Sequence, residues 1–382
     1  MKNQIFEAMK PLTEVFGRLN NLRRWTHVIT EGRYDEISKQ SLNCIITFIL
    51  AKEAEKNGMK EVRWELFPRI AMYRAFQKVY VNYDTPERIL QEICELGHLD
   101  YKKTSDDVTH QIISEKTSEE FYNWIYEGCE TFEERLYKAG TKIATFVELK
   151  ELQRSINGDY QERYNEVVNE MRKYRDIYGF NTLSDPEGDY FEVFKDFSKL
   201  RNQNRWAAYY YLVDCSVLGH LFDTAIFAYL MALENGESED VATKCFFMGI
   251  FHDIPEAFTK DIPSPVKDKI PNFRSLTEQY ELKMMEKHVY PKVSPEVREA
   301  LQDVMFETDE NIRFKRLMKG ADYMSAVSEL SRQTIAGSRD RGFAEAANRH
   351  YQQLVTRDKT DISASAEQLL IEMTEYIDIH IR

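Results

Sequence analysis

The sequence predicts an all-α fold built as two tandem helical bundles, on three observations. Gly contributes 15 and Pro 10 of 382 residues, well under average usage, so turns are too few for a strand-rich sandwich. Helical periodicity recurs over residues 41–56, 119–138, 160–178, 221–233, 276–288 and 312–332, while alternating strand patterns are scarce. The two halves also match at a nearly constant offset. Arg24-Trp25 pairs with Arg205-Trp206, Leu136-Tyr137-Lys138 with Leu317-Met318-Lys319, and Glu148-Leu149 with Glu329-Leu330, all 181 residues apart. Gln40-Ser41-Leu42 falls opposite His220-Leu221-Phe222 at 180, and Thr85-Pro86 opposite Ser264-Pro265 at 179.

The elements follow in chain order. The first 24 residues are amphipathic and interrupted by Lys10, Glu14 and Arg18, and no stretch reaches the roughly 18 apolar residues of a membrane span. Residues 179–189 (GFNTLSDPEGD) cluster Gly, Asn, Ser, Asp and Pro, which cannot continue a helix and read as a connector. The expected organisation is a first bundle over 1–155, a helical linker and connector over 156–195, and a second bundle with C-terminal helices over 196–382. Hydrophobic residues make up 43% and aromatics 13%, enough for packed cores and too many for a disordered chain. A net charge of −13 repels nucleic acid and anionic membranes, so neither is expected as a partner. Five cysteines, odd in number and without a CxxC pair, fit reduced thiols, and the expected location is the cytoplasm.

The second half carries the chemistry. His220 opens an apolar run (HLFDTAIFAYLMAL), and His252-Asp253 closes another (FFMGIF) just before Pro255. Asp322 lies inside a helical pattern with Leu317, Ala321, Met324 and Val327, where a buried carboxylate is costly unless its charge is balanced. A buried divalent cation satisfies all four. Two imidazoles and two carboxylates suit a first-row ion, which acidifies water and polarises phosphoryl oxygens. Glu256 follows His252 by four residues; if the helix continues through Pro255, it shares that face and can orient a water or relay its proton.

The order His220, His252-Asp253, Asp322, with HDIPEAFTKDIPSPVK around the dipeptide, closely resembles the HD-domain phosphohydrolases and, within them, the bacterial 5′-deoxynucleotidases. The family's Arg-Trp precedes its first metal histidine by fourteen residues, as Trp206 precedes His220 here. The resemblance covers about a third of the chain, residues 197–330, and departs from the family at Leu218-Gly219, where a more polar pair is usual. It implies an all-helical core holding one divalent ion (Mn, Co, Mg, Fe or Zn) on His220, His252, Asp253 and Asp322. It also implies Glu256 as the catalytic carboxylate beside Asp253, Arg205 on the phosphate, Trp206 against the sugar so as to disfavour a 2′-hydroxyl, and Asp261 on the 3′-hydroxyl. The implied substrate is a deoxynucleoside monophosphate that loses its 5′-phosphate.

Carried back by the offsets, the site has no ligands in the first half. Gln40 stands for His220, Tyr73-Arg74 for His252-Asp253, Gln77 for Glu256, Asn82 for Asp261 and Thr141 for Asp322. Residues 1–155 therefore read as a degenerate HD domain. Because family members commonly pair as homodimers, the resemblance implies either an intramolecular pseudo-dimer of the two repeats or a homo-oligomer. Two other functions stay open at this point: triphosphate removal from deoxynucleoside triphosphates or hydrolysis of an alarmone, and nucleotide sensing without turnover. There is no GxGxxG, Walker loop, GxSxG elbow or HExxH.

Overall fold

The computed structural model describes residues 2–26, 28, 30–59, 61–83, 85, 87–154, 160–260, 262, 269–306, 311–356 and 362–381, with side chains from residue 8 onward except 154. Among these residues the fold is all-α, and the extended pairs are two isolated bridges, Arg23 with Asp35 and Asn204 with Ser216. The described helices of the first half are α1 (Lys2–Asn21), α2 (Glu36–Lys56), α3 (Leu66–Gln77), α4 (Glu87–Leu96), α5 (Tyr101–Lys116), α6 (Glu119–Tyr126), α7 (Phe132–Glu151) and α8 (Tyr160–Met171). The short α9 (Phe180–Leu183) and α10 (Asp189–Ser198) occupy the connector region. There follow α11 (Val217–Glu234), α12 (Glu239–Phe251), α13 (Glu256–Thr259), α14 (Phe273–His288), α15 (Pro295–Met305), α16 (Ile312–Ile335), α17 (Arg341–Val355) and α18 (Ala364–Ile381).

Two expected helices are shorter than their periodicity. Residues 119–138 divide into α6 and α7, because Glu130 turns into the left-handed region at φ 61° and Thr131 restarts the chain, its side chain accepting from Glu134 N. The run 160–178 is α-helical only to Met171, where a 3₁₀ turn over Arg172–Tyr174 takes over. One expectation is corrected outright: α11 is long and apolar enough to cross a membrane. In the fold it is 94% buried, as a core helix.

The most extensive helix contact between the two halves is the packing of α2 on α11. Ser38 Oγ and Ser216 Oγ lie 2.9 Å apart in this contact. A Cβ at Gly219 would come within 2.8 Å of Ile37 Cγ2, so the glycine that departs from the family pattern is what lets the helices approach this closely. Contacts also run between the halves elsewhere. Phe16 of α1 meets Phe222 and Phe227 of α11 edge-on at 6.0 and 5.5 Å, and Phe48 and Trp64 pack on Phe247. Among the described residues the buried apolar side chains of both halves form one contiguous core.

Several contacts recur 181 residues along. Arg24 N donates to Tyr34 O and Arg205 N to Cys215 O; Glu36 N donates to Leu22 O and Val217 N to Gln203 O. Trp25 Nε1 donates to Glu148 at 2.9 Å, and Trp206 Nε1 to Glu329 at 2.8 Å. Arg24 and Arg205 each pair with the same glutamate as the adjacent tryptophan. Asp35 caps α2 through Ser38 N as Ser216 caps α11 through Gly219 N.

Away from these repeats, a buried ion pair links α16 to α11, Arg332 Nη2 to Asp223 Oδ2 at 2.7 Å. Asp223 is fully enclosed, and Arg332 Nε and Nη1 have no hydrogen-bond partner among the described residues. Removing the carboxylate strands a buried guanidinium. Asp223→Ala is therefore expected to lower stability by about 3–5 kcal/mol, read from guanidinium denaturation.

Candidate metal centre

Three elements bring the second-half residues together. Ser216 fixes the start of α11, placing His220 one turn in, on the buried side. Ser238 caps α12, whose last turn delivers His252-Asp253, and Gly249 sets its distance from α11: a Cβ there would meet Ala225 Cα at 2.6 Å. The His220 and His252 rings consequently stand 5.4 Å apart, centroid to centroid. From the facing side α16 contributes Asp322, Ser325 and Glu329 at i, i+3 and i+7, which share one helix face.

His220, His252 and Asp253 each offer a ligand atom, and these atoms lie within 4.8 Å of one another. Asp322 Oδ1 is 2.9 Å from His220 Nε2, with Thr224 Oγ1 at 3.2 Å from the same nitrogen. The opposite edges of both rings are already taken. His252 Nδ1 donates to the Gly249 carbonyl at 2.8 Å, while His220 Nδ1 faces Ser325 Oγ at 2.9 Å and Glu329 Oε1 at 3.3 Å. A carbonyl can only accept, so neutral His252 carries its free lone pair on Nε2. That nitrogen is buried and has no well-aligned hydrogen-bond partner among the described residues, although Asp253 Oδ2 is 3.1 Å away. An inward lone pair on His252 beside two carboxylates, each imidazole oriented from behind, is the donor set that a divalent first-row ion requires.

The charges point the same way. Asp253, Asp322 and Glu329 face two fixed cations, Arg205 and Lys319. Arg205 reaches Glu329 at 3.1 Å, Asp253 at 3.7 Å and Asp322 at 3.9 Å, and Lys319 donates to Asp322. Burial alone would push the Asp253 carboxyl up, but His252 and His220 hold it well below the usual carboxylate range. Burial acts on Asp322 in the same sense, and Lys319 and His220 outweigh it. Glu329, although fully enclosed, is held down to about 2 by Arg205 and His220. Burial and Arg205 depress His220, yet Glu329 and Asp322 raise its pKa overall. Three carboxylates, Asp253, Asp322 and Glu329, thus outnumber the two fixed cations, Arg205 and Lys319.

The remaining expected site residues are placed unevenly. The helix does not continue through Pro255: α12 ends at Phe251, and Glu256 begins the separate one-turn α13, 5% exposed, its carbonyl accepting from Gln203 Nε2 at 3.1 Å. Arg205 lies at the rim of the ligand cluster. Trp206 is 7% exposed, its N–H on Glu329 and its ring against Tyr209 and Phe343. Asp261 lies outside the described residues.

Glu329 is the group that the sequence reading used only as a repeat marker. It ties His220, Arg205 and Trp206 to one carboxylate. The signal was present, since an Arg-Trp pair and a Glu recur together with the same 124-residue separation from Arg in both halves, 24 to 148 and 205 to 329.

In the first half the register differs by one from the sequence offset. Each helix is counted from its capping residue, so Lys39, not Gln40, stands where His220 stands. Gln40 instead joins Glu36 and Tyr137. Arg74 is engaged by Glu134, Tyr73 by Asp106, Gln77 by Ser105 and Asn82 by Tyr101.

No curated protein and no solved structure matches this chain. Residues 192–373, which include every residue of the candidate centre from Arg205 to Glu329, match the family model of the YfbR-like 5′-deoxynucleotidases, of the HD superfamily.

Proposed function

We propose that the chain is a divalent-metal-dependent phosphohydrolase that removes the 5′-phosphate of a deoxynucleoside monophosphate. The observation carrying this reading is the convergence of the His220, His252 and Asp253 ligand atoms, with the buried lone pair of His252 Nε2, inside the stretch that matches the deoxynucleotidase family. In this reading His220, His252, Asp253 and Asp322 hold the ion. When bound, the ion supplies a Lewis acid that acidifies water and polarises phosphoryl oxygens.

The chain's own residues do the rest. Glu329 fixes the His220 ring through Nδ1 and so keeps Nε2 directed inward. Arg205, anchored on Glu329 by Nε, keeps its two terminal nitrogens on the side of Asp253 and Asp322, from which a guanidinium can bind a phosphate bidentately. Trp206 serves by locking Glu329 from the enclosed side. Glu256 is the carboxylate we assign to hold the attacking water's proton, and Asp261 the group assigned to the sugar 3′-hydroxyl. The contacts recurring at 181 residues support a further reading, that the chain is an internal duplication whose first copy has lost its ligands and packs on the second as a built-in partner. The acidic composition and free cysteines support a cytoplasmic setting.

The test is phosphate release with Mn²⁺, Co²⁺ or Mg²⁺ against a panel of deoxy- and ribonucleoside mono- and triphosphates. Inorganic phosphate from deoxynucleoside monophosphates, abolished by chelation, is the expected result. Triphosphate or pyrophosphate as product would replace the monophosphate reading by one of the rival substrates. Nucleotide binding without turnover under all three metals would make the chain a sensor.

A further inference from the structure

The first-half counterpart of the metal centre has changed the sign of its charge. Lys39 occupies the place of His220, and Thr141, at the same 181-residue offset that pairs Glu148 with Glu329, occupies that of Asp322. One exchange adds an ammonium and the other removes a carboxylate. The scaffold around them is kept, with Arg24 and Trp25 on Glu148 as Arg205 and Trp206 are on Glu329.

Three cations converge there on one carboxylate. Glu36 receives Arg24 Nη1 at 3.0 Å, Lys39 Nζ at 3.7 Å and Lys78 Nζ at 3.9 Å. Glu148 is already engaged by Arg24 and Trp25. Lys39 is 9% exposed and makes no hydrogen bond to any described residue, its Glu36 pair being too long for one. A buried ammonium left with its donors unused is costly. Burial is the main cause that pushes its pKa down, to about 8, with Arg24 and Lys78 acting in the same sense against Glu36 and Glu148. Arg24, Trp25 and Lys78 are only half-buried, so the cluster is reached from solvent past them.

We propose that this cluster is a second, non-hydrolytic site, which binds a phosphoryl dianion carried by inorganic phosphate or by a nucleoside monophosphate. Lys39 takes the electrostatic role that a metal ion would have, with no means of activating water, and Arg24 takes that of Arg205. The proposal does not depend on turnover at the metal centre.

The test uses the full chain, stripped of metal with chelator, and titrates inorganic phosphate and deoxyadenosine monophosphate separately by calorimetry and thermal shift. Arg205→Gln is introduced first to weaken anion binding at the metal centre. In that chain one equivalent of phosphate is expected to bind and raise the Tm. Adding Lys39→Met should weaken binding by roughly tenfold or more, as lost charge-assisted contacts do. Lys78→Gln, at a half-buried position, should weaken it in the same direction. Lys39→Met alone should leave metal-dependent hydrolysis within about twofold, since the substitution is outside the proposed ligand set. Equal affinity for phosphate and the nucleotide identifies a phosphoryl site alone, and tighter nucleotide binding identifies a nucleotide site; both uphold the proposal. It is overturned if Arg205→Gln abolishes all anion binding, or if binding survives both lysine substitutions unchanged.

Discussion

Asp253→Asn is expected to reduce phosphate release by about a thousandfold or more, the effect of losing several kcal/mol of Lewis-acid assistance. The substitution preserves size and most of the packing, and Arg205 keeps Glu329 and Asp322 as partners, so the fold should survive it. What it removes is the one carboxylate, among the described residues, whose ligand atom lies within 4.8 Å of those of both imidazoles. It also removes the charge beside His252 Nε2, which is buried without a well-aligned partner among the described residues. Elemental analysis of the purified variant should show metal content falling with activity, while the melting temperature moves little. A variant that lost its metal yet kept its rate would remove the ion from the mechanism. One that kept its metal and lost its rate would move Asp253 from ligand to general catalyst.

Much of this site was legible in the sequence because its signals are local. His252 and Asp253 are adjacent, the apolar runs before them mark buried helices, and an aspartate amid Leu317, Ala321 and Met324 already demands a balancing charge. What periodicity could not show was where helices stop. The turn between α6 and α7 depends on a left-handed Glu130 and the Thr131 cap, and the break after Phe251 on how residues 252–255 turn before α13. Nor does spacing show what a side chain meets across the core. Glu329 lies over a hundred residues from both Arg205 and His220, and Gly219 looked like a loss of polarity until its approach to Ile37 gave it a packing reason. The one-residue error that put Gln40 opposite His220 has the same origin. Matching letters cannot fix helical register, whereas two capping side chains can, and counting from them puts the Lys39 ammonium, not the Gln40 amide, at the His220 position.

The twin glutamates allow the two halves to be compared within one chain. Glu329→Gln weakens three contacts at once: Arg205 Nε, Trp206 Nε1 and the Nδ1 edge of His220. Glu148→Gln weakens the equivalent contacts to Arg24 and Trp25, but the residue in the His220 position there is Lys39. Each substitution keeps shape and an acceptor while removing charge, so each should cost about 1–3 kcal/mol of stability, as hydrogen bonds to charged groups do. Function should divide them. With Glu329 neutral, nothing charged holds the His220 ring from behind, and metal affinity is expected to fall by about 10- to 100-fold, as it does when an outer partner of a ligating histidine is lost. Saturating metal should then restore much of the rate. Glu148→Gln should leave both metal affinity and hydrolysis near wild type despite a similar loss of stability. Denaturation curves paired with metal titrations of the two variants provide the measurement. If Glu148→Gln impaired metal binding as severely as Glu329→Gln, the first half would be coupled to the centre, with α2 and α11, in contact at Ser38 and Ser216, as the connecting elements.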